Sequence, residues 1–192
     1  PRLVSVHCTH LMDRDIKLLS AQGVNVVHCP NSNMKLASGI CNVSKLVHHG
    51  VNVALGTDGA ASNNRLDMFG EMRAASLLAK VSTEDATSLP AYVALEMATI
   101  KGAKALGLEE KIGSLEPGKF ADVVAVSLNE FNTLPINDPI SHLVYGANSS
   151  QVSNVWIGGK SVMRHGGLLT LEKTKIINSA LSWQEKIEKS ES

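Results

Sequence analysis

The chain has 192 residues, 44% of them hydrophobic and 19% charged, with 18 Lys and Arg balancing 18 Asp and Glu. A chain of this length makes one domain or slightly more. The charge balance argues against a nucleic-acid binder that depends on net positive charge and against adhesion to an anionic membrane. No apolar run reaches the ~18 residues of a bilayer span, because Lys, His, Asp or Asn interrupts each one. The opening Pro1-Arg2-Leu3-Val4-Ser5-Val6 has neither an initiator Met nor the basic-then-apolar layout of a signal peptide, and reads as a strand cut from what preceded it. Cys8, Cys29 and Cys41 form neither a CxxC pair nor an even disulfide set, which points to a reducing compartment, the cytoplasm.

In chain order, an apolar, partly β-branched strand is expected over 3–7, followed by a helix over 13–22 with Ile16, Leu18 and Leu19 at roughly helical spacing and Gly23 to stop it. The pattern returns as a strand over 24–28, a polar loop through Gly39 and a helix over 43–49 ended by Gly50. It returns again as a strand over 51–55, a loop over 56–64 and a helix over 66–80. Successive strand-loop-helix units predict a parallel α/β sheet, because parallel strands need crossovers and helices supply them. A further helix is expected over 89–108, with Pro90 in its first turn and Gly107 at its end. Beyond it the texture becomes turn-rich. A buried strand over 121–126 and short strands over 151–157 and 160–163, the last two joined by Gly158-Gly159, predict a small β module. An amphipathic helix over 171–189, with a solvated outer face, closes the chain.

Polar residues cluster where each of the first three strands ends: His7-Cys8-Thr9-His10, then His28 to Asn33, then Thr57 to Asn64. Ligands bind at that edge of parallel α/β folds. A lone histidine at a strand end is more often structural, but three consecutive edges point chemistry at one mouth. Asp58 is the strongest candidate, because a carboxylate there can ligate a divalent metal and accept a proton from water that the metal has acidified. The competing reading of Asp58 is a turn or helix cap. His7 is the second candidate, as a ligand or a hydrogen-bonding partner of the attacking oxygen. A zinc site joining His28 and Cys29 to His7 and Cys8 is disfavoured, since neighbours on a strand point to opposite faces. His48 and His49, at a helix end, read as structural. Backbone amides of the 56–64 loop could cradle a phosphate, but the loop lacks GxGxxG and GxxxxGK.

Three segments together carry a resemblance: Val6-His7-Cys8; His28-Cys29-Pro30-x-Ser32-Asn33-x-Lys35-Leu36; and above all Leu55-Gly56-Thr57-Asp58-Gly59-Ala60-Ala61-Ser62-Asn63-Asn64. They resemble the amidohydrolase superfamily, in the branch of 5-methylthioadenosine/S-adenosylhomocysteine deaminases and chlorotriazine hydrolases. The later Gly113-Ser114-Leu115-Glu116-Pro117-Gly118-Lys119-x-Ala121-Asp122-Val123-Val124 is similar to the segment by which that superfamily passes from barrel to small β domain. The resemblance implies the last three βα units of a metal-dependent TIM barrel over 1–112, part of a small β-sandwich domain over 113–168 and a C-terminal helix over 169–192. A whole barrel needs ~250 residues, and the superfamily's other metal-binding histidines and its proton-donating Glu have no counterpart here. Only Asp58 carries over as a metal ligand. His7 carries over as the catalytic histidine near the attacking oxygen, and Ser62 as a conformation-setting or substrate-binding hydroxyl.

The implied cofactor is one divalent ion, zinc before iron. The implied reaction is hydrolytic deamination of a purine nucleoside, 5-methylthioadenosine or S-adenosylhomocysteine. Guanine deamination and triazine dechlorination are alternatives within the superfamily. An alternative of another class is a truncated non-catalytic module, since one ligand does not hold a catalytic metal. The implied partners are the small-molecule substrate and either further copies of the chain or a complementing N-terminal half, with neither nucleic acid nor membrane.

Overall fold

The structure, a computed structural model, describes residues 3–131 and 133–191; the opening Pro1 and Arg2 and the last residue of the expected C-terminal helix, Ser192, lie outside them. Strands β1 (Val4–Val6), β2 (Asn25–His28) and β3 (Val53–Leu55) form a parallel sheet in the order β1-β2-β3. Helices α1 (Asp13–Ala21) and α3 (Val43–His48) make the crossovers, and α5 (Met68–Thr83) follows β3. Gly23 and Gly50 end the first two crossovers with φ of +61° and +76°, a conformation that glycine adopts without a Cβ penalty. Ile16 of α1, Val26, Val53, Leu46 of α3 and Met72 and Ala75 of α5 form one buried cluster. Val26 and Val53, paired across β2 and β3, are fully buried within it.

The polar segment after β2 is not all loop. Pro30–Lys35 is a short helix, α2, started by Pro30 in its first turn, where a missing N–H costs nothing. The segment after β3 likewise contains a single turn, α4 (Ala60–Asn63), which Asn64 ends in the left-handed conformation. The long helix expected over 89–108 is two helices, α6 (Ala91–Ala98) and α7 (Ile100–Leu106), and Pro90 caps the first instead of lying within it. The break is at Thr99, whose hydroxyl donates to the Leu95 carbonyl at 2.7 Å while its own backbone leaves the helical region. A threonine hydroxyl that competes for main-chain acceptors in this way weakens the helix around it.

The second sheet is antiparallel, β4 (Val123–Val126), β5 (Val152–Ile157), β6 (Lys160–Arg164) and β7 (Gly167–Leu168) in sequence order. Gly158 and Gly159, both at positive φ, turn the β5–β6 hairpin as expected from their sequence. β4 is not buried as its apolar run suggested, for Val124 is 56% exposed. Between β4 and β5 the chain returns to the first sheet's helices. The helical turn α8 (Pro139–Ser141) runs into a π-helical turn, His142–Gly146, whose Val144 joins the main core and whose Tyr145 hydroxyl meets Ser76 of α5 at 2.6 Å. Arg73 of α5 donates to the Ala147 carbonyl at 2.6 Å. The terminal helix α9 (Lys173–Glu191) leaves Ile176, Leu181, Trp183 and Ile187 about half exposed.

Candidate active site

The C-terminal ends of β1, β2 and β3 lie side by side because the three strands are in parallel register, with His28 opposite Leu55 and Val6 opposite Val27. The backbone turns sharply after β1 and after β3. His7 and Cys8 after β1 and Asp58 after β3 have φ of 68°, 51° and 60°, left-handed values that non-glycine residues seldom adopt. Such backbone is held only where surrounding bonds over-determine it. Here His7 N–H donates to the Val27 carbonyl and Gly56 N–H to the His28 carbonyl, each at 3.0 Å, continuing the ladder to the edge of the turns.

Three hydrogen bonds converge on the Asp58 carboxylate. Ser32 of α2 and Ser62 of α4 donate their hydroxyls to Oδ2, both at 2.7 Å, and the Gly59 amide donates to Oδ1 at 2.7 Å. These donors, the Ser32 hydroxyl foremost, hold the carboxyl at about 2, well below its ordinary 3.8, with the nearby His7 adding to the effect. His7 Nε2 is 3.8 Å from Asp58 Oδ2, and its Nδ1 meets Asn33 Oδ1 at 2.8 Å. His7, Asp58 and Ser62, all three named from the sequence, therefore lie together.

Beneath them Glu71 of α5, a carboxylate 1% exposed, accepts from the Asn31 side chain at 2.9 Å, the Asn63 side chain at 2.7 Å and the Asn31 amide at 3.3 Å. It ties α2 and α4 to α5. Lys35 adds a bond to the Ala61 carbonyl at 2.8 Å and another to Asn64. Sequence reasoning missed this support. Ser32 and Asn33 carried a signal, as polar residues behind Pro30, whereas Glu71 reads in sequence as an ordinary acidic residue in a helix's first turn.

His28 and Cys29 are both buried. Burial, with the nearby His7, lowers the His28 imidazole to about 4, so it is neutral. Burial, with the Asp58 and Glu71 charges, pushes the Cys29 thiol up to about 11, which opposes a zinc thiolate. Among the described residues no three His, Cys, Asp or Glu are grouped to hold a metal ion. His49 bonds back to the Lys45 carbonyl at 2.8 Å, as a helix-end residue does. In the 56–64 loop the Gly59 amide donates to the Asp58 carboxylate, the Ser62 and Asn63 amides to the Gly59 carbonyl and the Asn64 amide to the Ala60 carbonyl, so these four are not free to cradle a phosphate.

Residues 1–162 match the model of the amidohydrolase family. The chain belongs to that family. It is 50% identical over 184 residues, 94% of its length, to a 5-methylthioadenosine/S-adenosylhomocysteine deaminase of Teredinibacter turnerae, of which it spans 42%. To a 5'-deoxyadenosine deaminase of Methanothermobacter thermautotrophicus it is 48% identical, with 94% of this chain and 42% of the relative covered. Among solved structures, an adenosine deaminase from Xanthomonas campestris with bound zinc superposes with a TM-score of 0.96 at 45% identity, covering 97% of this chain and 43% of that one. The chain thus corresponds to less than half the length of the relatives it matches. No helix among the described residues is long and apolar enough to cross a membrane.

Proposed function

We propose that this amidohydrolase chain supplies the Asp58–His7 portion of the active site of a hydrolytic deaminase acting on a 5'-substituted adenine nucleoside, 5-methylthioadenosine or S-adenosylhomocysteine. The observation that carries the proposal is an ionised carboxylate at a strand tip, with an imidazole nitrogen 3.8 Å away, in a family member half identical to such deaminases. Asp58 also fits one ligand position for a divalent ion. A carboxylate offers about four lone-pair sites, three are occupied by Ser32, Ser62 and Gly59, and the side chain is 33% exposed. The remaining ligands are then supplied from outside these residues. When bound, a divalent ion, zinc foremost, supplies a Lewis acid that acidifies water.

The chain's own residues do the rest. Asp58 accepts a proton from the attacking water, whose oxygen bonds to C6 of the adenine ring, and returns it to the departing ammonia as the C6–N bond breaks. His7 hydrogen-bonds the attacking oxygen, and Ser62 holds Asp58 Oδ2 toward it. We read 1–112 as the last three βα units of a TIM barrel, 113–168 as part of a small β domain and 169–192 as a terminal helix, in a cytoplasmic enzyme completed by an N-terminal half. The test is release of ammonia from 5-methylthioadenosine by the complete protein. Asp58→Asn is expected to abolish turnover with the thermal unfolding midpoint unchanged, His7→Ala to be severely impaired and His48→Ala to be near neutral. Activity of Asp58→Asn within tenfold of the parent refutes the role given to Asp58.

A further inference from the structure

We propose that Asn33 is a positioning residue that locks His7 in the tautomer with its proton on Nδ1, so that Nε2 faces the active site as an acceptor. The inference rests on the deaminase reading for its consequence, and on the His7–Asn33 geometry for its substance. A neutral imidazole has one N–H and one bare nitrogen, and what the first nitrogen meets decides what the second can do. His7 Nδ1 meets the Asn33 side-chain oxygen at 2.8 Å, and an amide oxygen only accepts. In the neutral ring the proton therefore sits on Nδ1, and Nε2 carries a lone pair.

Asn33 is well placed to impose this. Its side chain is 1% exposed. Its backbone N–H donates to the Cys29 carbonyl at 3.0 Å and its backbone carbonyl accepts from the Ser38 amide at 2.9 Å, which fixes the main chain, while its side-chain Nδ2 is buried with no hydrogen-bond partner among the described residues. Ser32, its neighbour on α2, holds Asp58 Oδ2 at 2.7 Å. Consecutive residues of one short helix thus fix both groups at the mouth.

The chemical consequence lies in the space between them. His7 Nε2 and Asp58 Oδ2 are 3.8 Å apart, too far for a direct hydrogen bond, and both are acceptors. A water molecule at the mouth donates an O–H to His7 Nε2 and turns its lone pairs away from the ring, in the orientation a nucleophile needs. The opposite tautomer would present an N–H instead and turn that water round.

The experiment uses the complete protein with 15N-labelled histidine, freed of metal, and reads the His7 ring nitrogens by long-range 1H–15N correlation at neutral pH. The expected result is a single Nδ1–H tautomer. Asn33→Asp keeps the acceptor and retains that tautomer, whereas Asn33→Ala gives a mixture. With 5-methylthioadenosine, Asn33→Ala is expected to lower kcat at least tenfold while KM moves less than threefold, and Asn33→Asp to recover part of the loss. An Nε2–H tautomer in the parent, a switch of tautomer in Asn33→Asp, or unchanged tautomer and kcat in Asn33→Ala each overturns the proposal. If Asn33→Ala does not fold, the parent and Asn33→Asp spectra decide. If the parent releases no ammonia, the deaminase reading falls, and the ring spectra still decide the role of Asn33.

Discussion

His28 shows how one buried ring ties the fold to pH. Its imidazole is held neutral at about 4 against an ordinary 6.5, chiefly by burial. Between those values the unfolded chain binds a proton that the folded chain does not, so stability rises with pH through this window and falls as pH drops. The slope contributed by one such group is at most about 1.4 kcal/mol per pH unit. Urea unfolding of the complete protein at pH 7.5 and pH 5 is expected to show this loss, and His28→Gln to reduce it; an equal loss in both proteins assigns the effect elsewhere. At this scale the sequence was partly legible. Asp58 and His7 stood out because each follows a strand of clear apolar character. The bonds that hold them did not, since nothing in the spacing of Ser32, Asn33 and Glu71 tells that these side chains meet Asp58, His7, Asn31 and Asn63.

Between elements, small residues set how closely the pieces approach. Gly113, in the turn leading toward β4, has φ of +93°, and a Cβ there would stand 2.7 Å from the Ala103 Cβ and 2.9 Å from the Ile100 Cα of α7. One of these contacts is backbone and neither belongs to a flexible side-chain end, so α7 has to move. Gly113→Ala is expected to destabilise the complete protein by about 2 to 3 kcal/mol, from overpacking together with the left-handed backbone. Chemical denaturation measures it, and a loss below about 0.5 kcal/mol would show that α7 shifts freely. The strands and long helices could be read in advance because their apolar periodicity spans whole crossovers. α2 and α4 could not, because a helix of one or two turns has too few residues to show a period. The break at Thr99 was hidden for another reason: the apolar pattern continues through it, and only the hydroxyl's bond to Leu95 marks the interruption.

For the whole molecule, the open question is what covers its apolar surface. A groove of about 800 Å³ runs between the first sheet, α7 and β4, with Val27, Phe69, Leu106 and Val124 among its walls. The outer edges of β1 and β3 carry no partner strand among the described residues, and unpaired edges with apolar faces favour association. Residues 1–192 expressed alone are expected to bind a hydrophobic dye, to associate in light scattering, and to retain far less than one zinc or iron per chain by elemental mass spectrometry. One tightly held ion per chain would refute the assignment of a single ligand to this portion. The family resemblance was legible from local motifs, yet the extent of the uncovered surface was not, because it depends on how the two sheets and their helices are placed in space.

The groups that meet at the strand tips share one more property. Ser32, Asn33, Asp58, Ser62 and Asn63 are short, none longer than an asparagine, and each is bonded to a neighbour. Long polar side chains such as Lys, Glu or Gln surrender roughly 1.5 to 2 kcal/mol of rotamer entropy when fixed, and short ones far less. Apart from Glu71 and Lys35 beneath it, the mouth is therefore frozen cheaply, by side chains with little freedom to lose, and a molecule arriving there need spend little of its binding energy on ordering them.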